Sequence, residues 1–154
     1  MVDTSEDINM EVSNDESIKN VTDNKLTIDD FTVIKVVGKG SYGKVLLVKK
    51  NDDNKTVAMK VLKKKHMIKR NQVEHTKTER SILELVKHPF IIQLRYAFQN
   101  SAKLYFVVDY CPGGELFFHI QKVERFNEEA TKFYASQMVL ALEHLHSLNI
   151  IYRE

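Results

Sequence analysis

An α+β architecture is what this 154-residue sequence predicts, five strands with one helix among them and helices alone thereafter. Three observations carry it. Up to about residue 108 the apolar residues fall in short β-branched and aromatic runs separated by Asp/Asn/Ser turns, with a single stretch of helical period. Cys111-Pro112-Gly113-Gly114 then breaks the pattern, and beyond it the spacing is helical throughout.

In order, Phe31-Thr32-Val33-Ile34-Lys35-Val36-Val37 reads as the first strand, running into a glycine-rich loop. Strands over about 44–49 and 56–62 follow, joined by the turn Asn51-Asp52-Asp53-Asn54. Lys63-Lys64-Lys65 and Lys69-Arg70 form a basic run, read as a solvated helical turn in preference to a nuclear-import signal. Thr76, Glu79/Arg80, Leu83 and Val86 have helical spacing, and His88-Pro89 ends that helix. Ile92, Leu94, Tyr96 and Phe98 alternate with polar or small residues, as a half-buried strand does. After Asn100-Ser101, Leu104-Tyr105-Phe106-Val107-Val108 reads as a strand buried on both faces. A short helix from Glu115 to about Lys122 comes next. Asn127 then caps a long helix whose first turn carries Glu128 and Glu129, favourable at the positive end of its dipole. Ala130, Phe133, Tyr134, Met138, Ala141, Leu142 and Leu145 make one face of it.

Hydrophobic content of 43% and 29% charged residues suit one globular domain with a real core. The single cysteine, Cys111, excludes an intramolecular disulfide and fits a reducing compartment. No apolar run approaches the ~18 residues of a membrane span, and the acidic N-terminus does not resemble a signal peptide. The net charge of +2 hides an asymmetry: residues 1–25 carry seven acids and two lysines, a net −5, which leaves +7 for the remainder. Residues 1–26 are expected to be a disordered acidic tail, solvated in preference to any nucleic-acid or autoinhibitory role.

The chemistry concentrates at Val37-Gly38-Lys39-Gly40-Ser41-Tyr42-Gly43-Lys44-Val45, read with Val57-Ala58-Met59-Lys60. Glycines at one, three and six, a β-branched residue and then a strand-borne Lys form the phosphate-holding pattern of protein kinases. Two other phosphate loops fail here. A dinucleotide fold needs a helix straight after the glycines and an acid about 20 residues on. Strand-forming Lys44-Val45-Leu46-Leu47-Val48 follows instead, with no acid between Lys55 and Val73, the span that holds the position about 20 residues on. A P-loop needs Ser or Thr after Gly43-Lys44, where Val45 stands. A glycine-rich hairpin without a ligand is the remaining alternative.

A lysine beside phosphates needs a partner that holds its mobile ammonium. Glu79, inside the helix that follows the Lys strand, is the best candidate; Glu74 and Glu84 lie about 140° round from it. The alternative is that Glu79 is an ordinary surface acid.

These stretches, with His75-Thr76, His88-Pro89-Phe90, Val108-Asp109-Tyr110, Pro112-Gly113-Gly114-Glu115-Leu116-Phe117 and Ile151-Tyr152-Arg153, occur in an order and spacing that resemble the N-terminal half of an AGC-family serine/threonine protein kinase. Protein kinase B and the serum/glucocorticoid-regulated kinases are the most similar branches, over about residues 28–154. The resemblance implies an incomplete kinase domain over 31–154. It comprises a small lobe of a five-stranded antiparallel sheet plus regulatory helix (31–108), a hinge (109–114) and the start of the large lobe (115–154). It implies transfer of the ATP γ-phosphate to Ser or Thr of protein substrates in basic contexts, with ATP and magnesium as cofactors, in the cytoplasm or alternatively the nucleus. Nucleic acid is not an expected partner, and no transmembrane segment is expected.

Residue by residue, the resemblance implies that Val37, Gly38, Gly40, Ser41, Tyr42 and Gly43 cover the phosphates and that Lys60, paired to Glu79, contacts them. Val45 and Ala58 would pack on the adenine and Val108 behind it. The Asp109 carbonyl and Cys111 amide would meet the adenine edge, and Glu115 the ribose or a basic substrate residue. Leu83, Leu94 and Tyr152 resemble members of an apolar spine between the lobes. Lys64, Met67, Ile68, Val73, Thr76, Gln99 and Leu104 match a groove for a hydrophobic-motif peptide, with ordinary core packing as the alternative.

The sequence departs from the family at Glu154, which stands where an Asp accepts the substrate proton. One extra methylene displaces the carboxylate by near 1 Å, enough to cost about 100-fold in rate. The catalytic-loop Lys and Asn, the magnesium-binding Asp-Phe-Gly and the activation segment do not occur in this sequence, so it contains no candidate metal ligand. The chain as given is therefore expected to be inactive. The alternative reading is a truncated module that binds a nucleotide or partner without catalysis.

Overall fold

The computed structural model describes residues 26–40 and 43–152. The expected acidic tail, together with Ser41, Tyr42, Arg153 and Glu154, lies outside the described residues. Five antiparallel strands form one sheet: β1 (Phe31–Lys39), β2 (Gly43–Lys50), β3 (Thr56–Lys63), β4 (Leu94–Gln99) and β5 (Lys103–Val108), in the order β1-β2-β3-β5-β4. Helices α1 (Lys64–Lys69) and α2 (Val73–Leu85) lie between β3 and β4, and α3 (Leu116–Val123) and α4 (Glu128–Ser147) follow β5. The strands-then-helices reading is what the chain adopts.

Pleat alternation separates two cores. Leu46, Val48, Val57, Met59, Val61, Tyr105 and Val107 cluster with Phe31 on the sheet's outer face. Tyr96, Phe98, Leu26 and Ile28 pack against them there. Leu62, Leu104 and Phe106 face the other way and meet Met67 of α1, with Val73 and Leu94 beside them. β3 and β5 are thus buried on both sides, which explains their almost continuous apolar runs. The first core is stacked with rings: Phe98 lies 4.8 Å from Tyr105 and 5.8 Å from Phe31, both near-parallel.

A short 3-10 turn, Ile28–Asp30, precedes β1 and is closed by Thr27, whose hydroxyl accepts from the Asp29 amide while Asp30 accepts from the Thr27 amide. Asn51, in the β2–β3 turn, ties that entry down. Its amide group donates to the Asp29 carbonyl (2.9 Å) and its side-chain oxygen accepts from Thr32 Oγ1 (2.7 Å). None of these contacts was foreseen from the sequence. Beside Asn51, Lys50 is buried, hydrogen-bonded to Asp52 and 5.5 Å from the centre of the Tyr96 ring.

Two expectations need correction. Ile92 is not part of a strand: β4 begins at Leu94, and Ile92 is exposed. The Gln93 side chain donates to the carbonyls of His88 and Ile91, which holds 88–93 as a turn instead of extended chain. The basic run is helical as expected, yet not wholly solvated, because Met67 within it is a core residue. The long helix starts where expected, with Asn127 accepting from the Ala130 amide at 2.8 Å.

Candidate active site: Lys60, Glu79 and the glycine hairpin

The register places the predicted site residues on one face of the sheet. Gly38 opposes Val45, Val45 opposes Lys60, and Ala58 opposes Val108. Paired residues share a face, so Gly38, Val45, Lys60, Ala58 and Val108 all project to the side away from the Phe31 core. On that same face Met67 of α1 and Val73 of α2 pack against Leu62, Leu104 and Phe106.

The Nζ of Lys60 lies 2.5 Å from Glu79 Oε1 on α2, 19 residues on. The other two acids of that helix are engaged elsewhere: Glu74 pairs with Lys77 and Glu84 with Arg80. Both members of the Lys60–Glu79 pair remain more than a third exposed (37% and 41%), so solvent screens the pair and its worth to folding is small. It fixes the Lys60 ammonium against α2, on the face that Gly38 and Val45 share.

That hairpin closes through Gly40 and Gly43, the Gly40 amide donating to the Gly43 carbonyl at 3.0 Å. The three glycines are not equivalent. A Cβ on Gly43 would sit 1.8 Å from the Val61 carbonyl oxygen, so close strand packing alone demands glycine there. On Gly38 it would meet Val45 at 3.6 Å, an ordinary contact, and on Gly40 it would meet nothing within 4 Å. Packing among the described residues therefore does not require glycine at position 40.

Just after β5, the Asp109 amide donates to the Gln93 carbonyl at 3.2 Å. Its carboxylate takes two bonds from the Arg95 guanidinium, at 2.7 and 3.1 Å. This pair ties the segment after β5 to β4, and the Asp109 hydrogen bond holds the Arg95 guanidinium above its ordinary range. Sequence reasoning missed Arg95, which looked like one of the polar positions of an alternating strand. Among the described residues the Asp109 carbonyl and the Cys111 amide have no hydrogen-bond partner. Glu115 is exposed at the start of α3, and Val37 is exposed on β1. Tyr152 is 67% exposed and is not enclosed in a stack between lobes. Of the expected peptide groove, Met67, Thr76 and Leu104 are buried and Ile68 is exposed.

The protein kinase domain family matches residues 31–154. A RAC family serine/threonine-protein kinase homolog of Dictyostelium discoideum is 51% identical over 130 residues, 84% of this chain and 29% of the relative. Protein kinase 3 of the same organism is 49% identical over 152 residues, 99% of this chain and 16% of the relative. The human serine/threonine-protein kinase Sgk2 is 53% identical over 126 residues, 81% and 34% respectively. The chain thus spans about a third or less of the length of these relatives. Protein kinase domains in general use ATP and magnesium. With the small-lobe sheet, the Lys60–Glu79 pair and these matches together, the chain belongs to the AGC family of serine/threonine protein kinases.

Proposed function

We propose that this chain is the ATP-binding portion of a serine/threonine kinase that phosphorylates proteins at Ser or Thr in basic contexts. The observation that carries the reading is Lys60 Nζ at 2.5 Å from Glu79 Oε1, on the face lined by Gly38, Val45, Ala58 and Val108. Lys60 would neutralise phosphate oxygens and Glu79 would keep it oriented. Val45 and Ala58 would pack on the adenine from above, with Val108 behind it. The Asp109 carbonyl and Cys111 amide would take its polar edge, the Arg95 pair having already fixed Asp109. ATP would supply the transferred phosphoryl group; among the described residues no cluster of His, Cys, Asp or Glu is placed to hold its magnesium.

The first property to test on the 154-residue chain is nucleotide binding. Titration with a fluorescent ATP analogue should give saturable binding that Lys60→Met weakens by about tenfold or more, a lost charge-assisted contact being worth roughly 1.5–3 kcal/mol. Unchanged binding in Lys60→Met, with its circular dichroism intact, would reject the site. Transfer of phosphate from ATP to a basic Ser/Thr peptide by this chain would overturn the expectation of inactivity. The hydrophobic-motif groove is a second proposal, supported by an exposed Ile68 and partly buried Val73 and Gln99. A Phe-x-x-Phe peptide that leaves the NMR signals of Ile68 and Val73 unmoved would remove it.

A further inference from the structure

Four lysines stand in one row across four adjacent strands. Lys39 of β1 directly opposes Lys44 of β2, and Lys63 of β3 directly opposes Lys103 of β5. Lys44 opposes Val61, two residues before Lys63, so the two pairs are diagonal neighbours. Strand alternation puts all four on the outer face, level with the end of the Val61–Tyr105 core. With two steps of about 4.8 Å and one diagonal step of about 7–8 Å, the row is roughly 17 Å long. Among the described residues none of the four ammonium groups has a carboxylate partner. Like charges directly opposite one another destabilise a sheet. Such a row is a surface built for an anionic occupant.

We propose that the occupant is the acidic N-terminal stretch of this same chain, residues 1–25, lying along β1 on the outer face with its acids on the lysine row. Charge complementarity is the first argument: the stretch carries a net −5 against the row's four positive charges. Its attachment is the second. Leu26 and Ile28, at its exit, already pack on the outer-face core beside Phe31. Between that anchor and the row lie Val33 and Val36, paired with the outward-facing Val48 and Leu46, yet 50% and 46% exposed on an edge strand. They form an uncovered apolar track from the anchor to the lysines. Reach sets which acids arrive. Phe31 to Lys39 spans about 26 Å, or some eight extended residues. Asp15, Glu16 and Glu11 therefore meet the row, and Asp23 does not. A tether this short presents them at an effective concentration on the order of millimolar, so weak individual pairs suffice.

Zero-length carbodiimide coupling of the 154-residue chain, read by mass spectrometry, tests this. A mixture of light and heavy-isotope chains separates links within one molecule from links between two. The Lys60–Glu79 link reports that the reaction worked. The expected result is intrachain links from Asp15, Glu16 and Glu11 to Lys39, Lys44, Lys63 and Lys103, several-fold above links from the same acids to Lys77 and Lys87. These should fall several-fold at about 1 M salt, where the screening length is ~3 Å. Replacing the four lysines with Glu should remove them. Adding Glu11→Lys, Asp15→Lys and Glu16→Lys to that variant should restore links of reversed polarity. Links no more frequent to the row than to the control lysines, or only between molecules, would overturn the proposal. So would equal binding of the unmodified chain and an E11Q/D15N/E16Q variant to phosphatidylserine vesicles, which would make the row a membrane contact.

Discussion

Gly43 and Gly40 show how differently two residues of one motif are constrained. A Cβ at Gly43 has no room, 1.8 Å from the Val61 oxygen, and either β2 or β3 must move to admit it. Gly43→Ala is expected to destabilise the sheet by about 1–3 kcal/mol, the usual cost of overpacking. Gly40→Ala should leave stability within about 0.5 kcal/mol, as at other open positions, and affect only nucleotide binding. Urea denaturation of both variants checks this; equal losses would mean the hairpin is constrained as a unit. The Lys50–Asp52 pair gives a pH dependence at the same scale. The hydrogen bond from Lys50 holds the Asp52 carboxyl below its ordinary range, and that bond raises Lys50 in turn. A depressed carboxyl contributes stability above its unfolded value, near 3.9, and loses it as pH falls through the folded value. Asp52→Asn should therefore melt below the unmodified chain at neutral pH, with the difference shrinking as pH drops below about 4. A difference constant from pH 7 to about 3 would mean that the carboxylate's charge is not what matters there.

At the scale of elements, β3 and β5 are the frame from which the site hangs, because each is packed on both faces. Met59, fully buried at the middle of β3, should cost about 2–5 kcal/mol on truncation to Ala. Its neighbour Lys60 faces the opposite side, so the loss should appear as lower stability at unchanged nucleotide affinity in the folded fraction. Helix ends are sites of smaller effects. Asn127→Ala removes the α4 cap and should cost about 0.5–2 kcal/mol. The end of α3 is strained instead: Glu124 has φ 61° and ψ −45°, and the Arg125 amide bonds back to the Val123 carbonyl at 2.7 Å. That is a γ-turn of the positive-φ kind, which a side chain tolerates poorly. Glu124→Gly should stabilise the chain by roughly 1 kcal/mol. Lower stability would show that the side chain compensates through contacts of its own.

For the whole molecule, the two halves are finished to different degrees. The sheet has two closed cores, whereas no residue of α3 or α4 is buried. Phe117, Phe133, Met138 and Val139 are each at least 60% exposed, on more than one side of their helices. Each such side chain forgoes about 1.5–3 kcal/mol of burial, and together they form a large apolar surface of the kind that drives association. Expressed as this 154-residue chain, the protein should self-associate or lose structure in α3 and α4 first, while the sheet persists. Sedimentation velocity and residue-resolved hydrogen exchange would show this. A monomer with α4 amides as protected as those of β3 would contradict it.

The order of elements, the glycine hairpin, the Lys strand and its Glu partner were all legible in the chain, because each rests on local periodicity or on short, rigid spacing. Glu79 could be chosen for its place inside the helix after the Lys strand, with Glu74 and Glu84 set on other faces by helical angle, and the ion pair lies at Glu79. Other features belong to residues far apart in sequence whose meeting depends on sheet order. Asn51 clasping the start of β1, Arg95 holding Asp109, and the burial of Lys50 under Tyr96 are of this kind. The lysine row is another. Lys39, Lys44, Lys63 and Lys103 look like scattered surface charges until the β1-β2-β3-β5 register lines them up. Even the glycines needed the fold, since only the approach of β3 separates Gly43, which packing requires, from Gly40, which it does not. Local preference is written in neighbouring residues, whereas register and inter-strand packing are settled by all the strands at once.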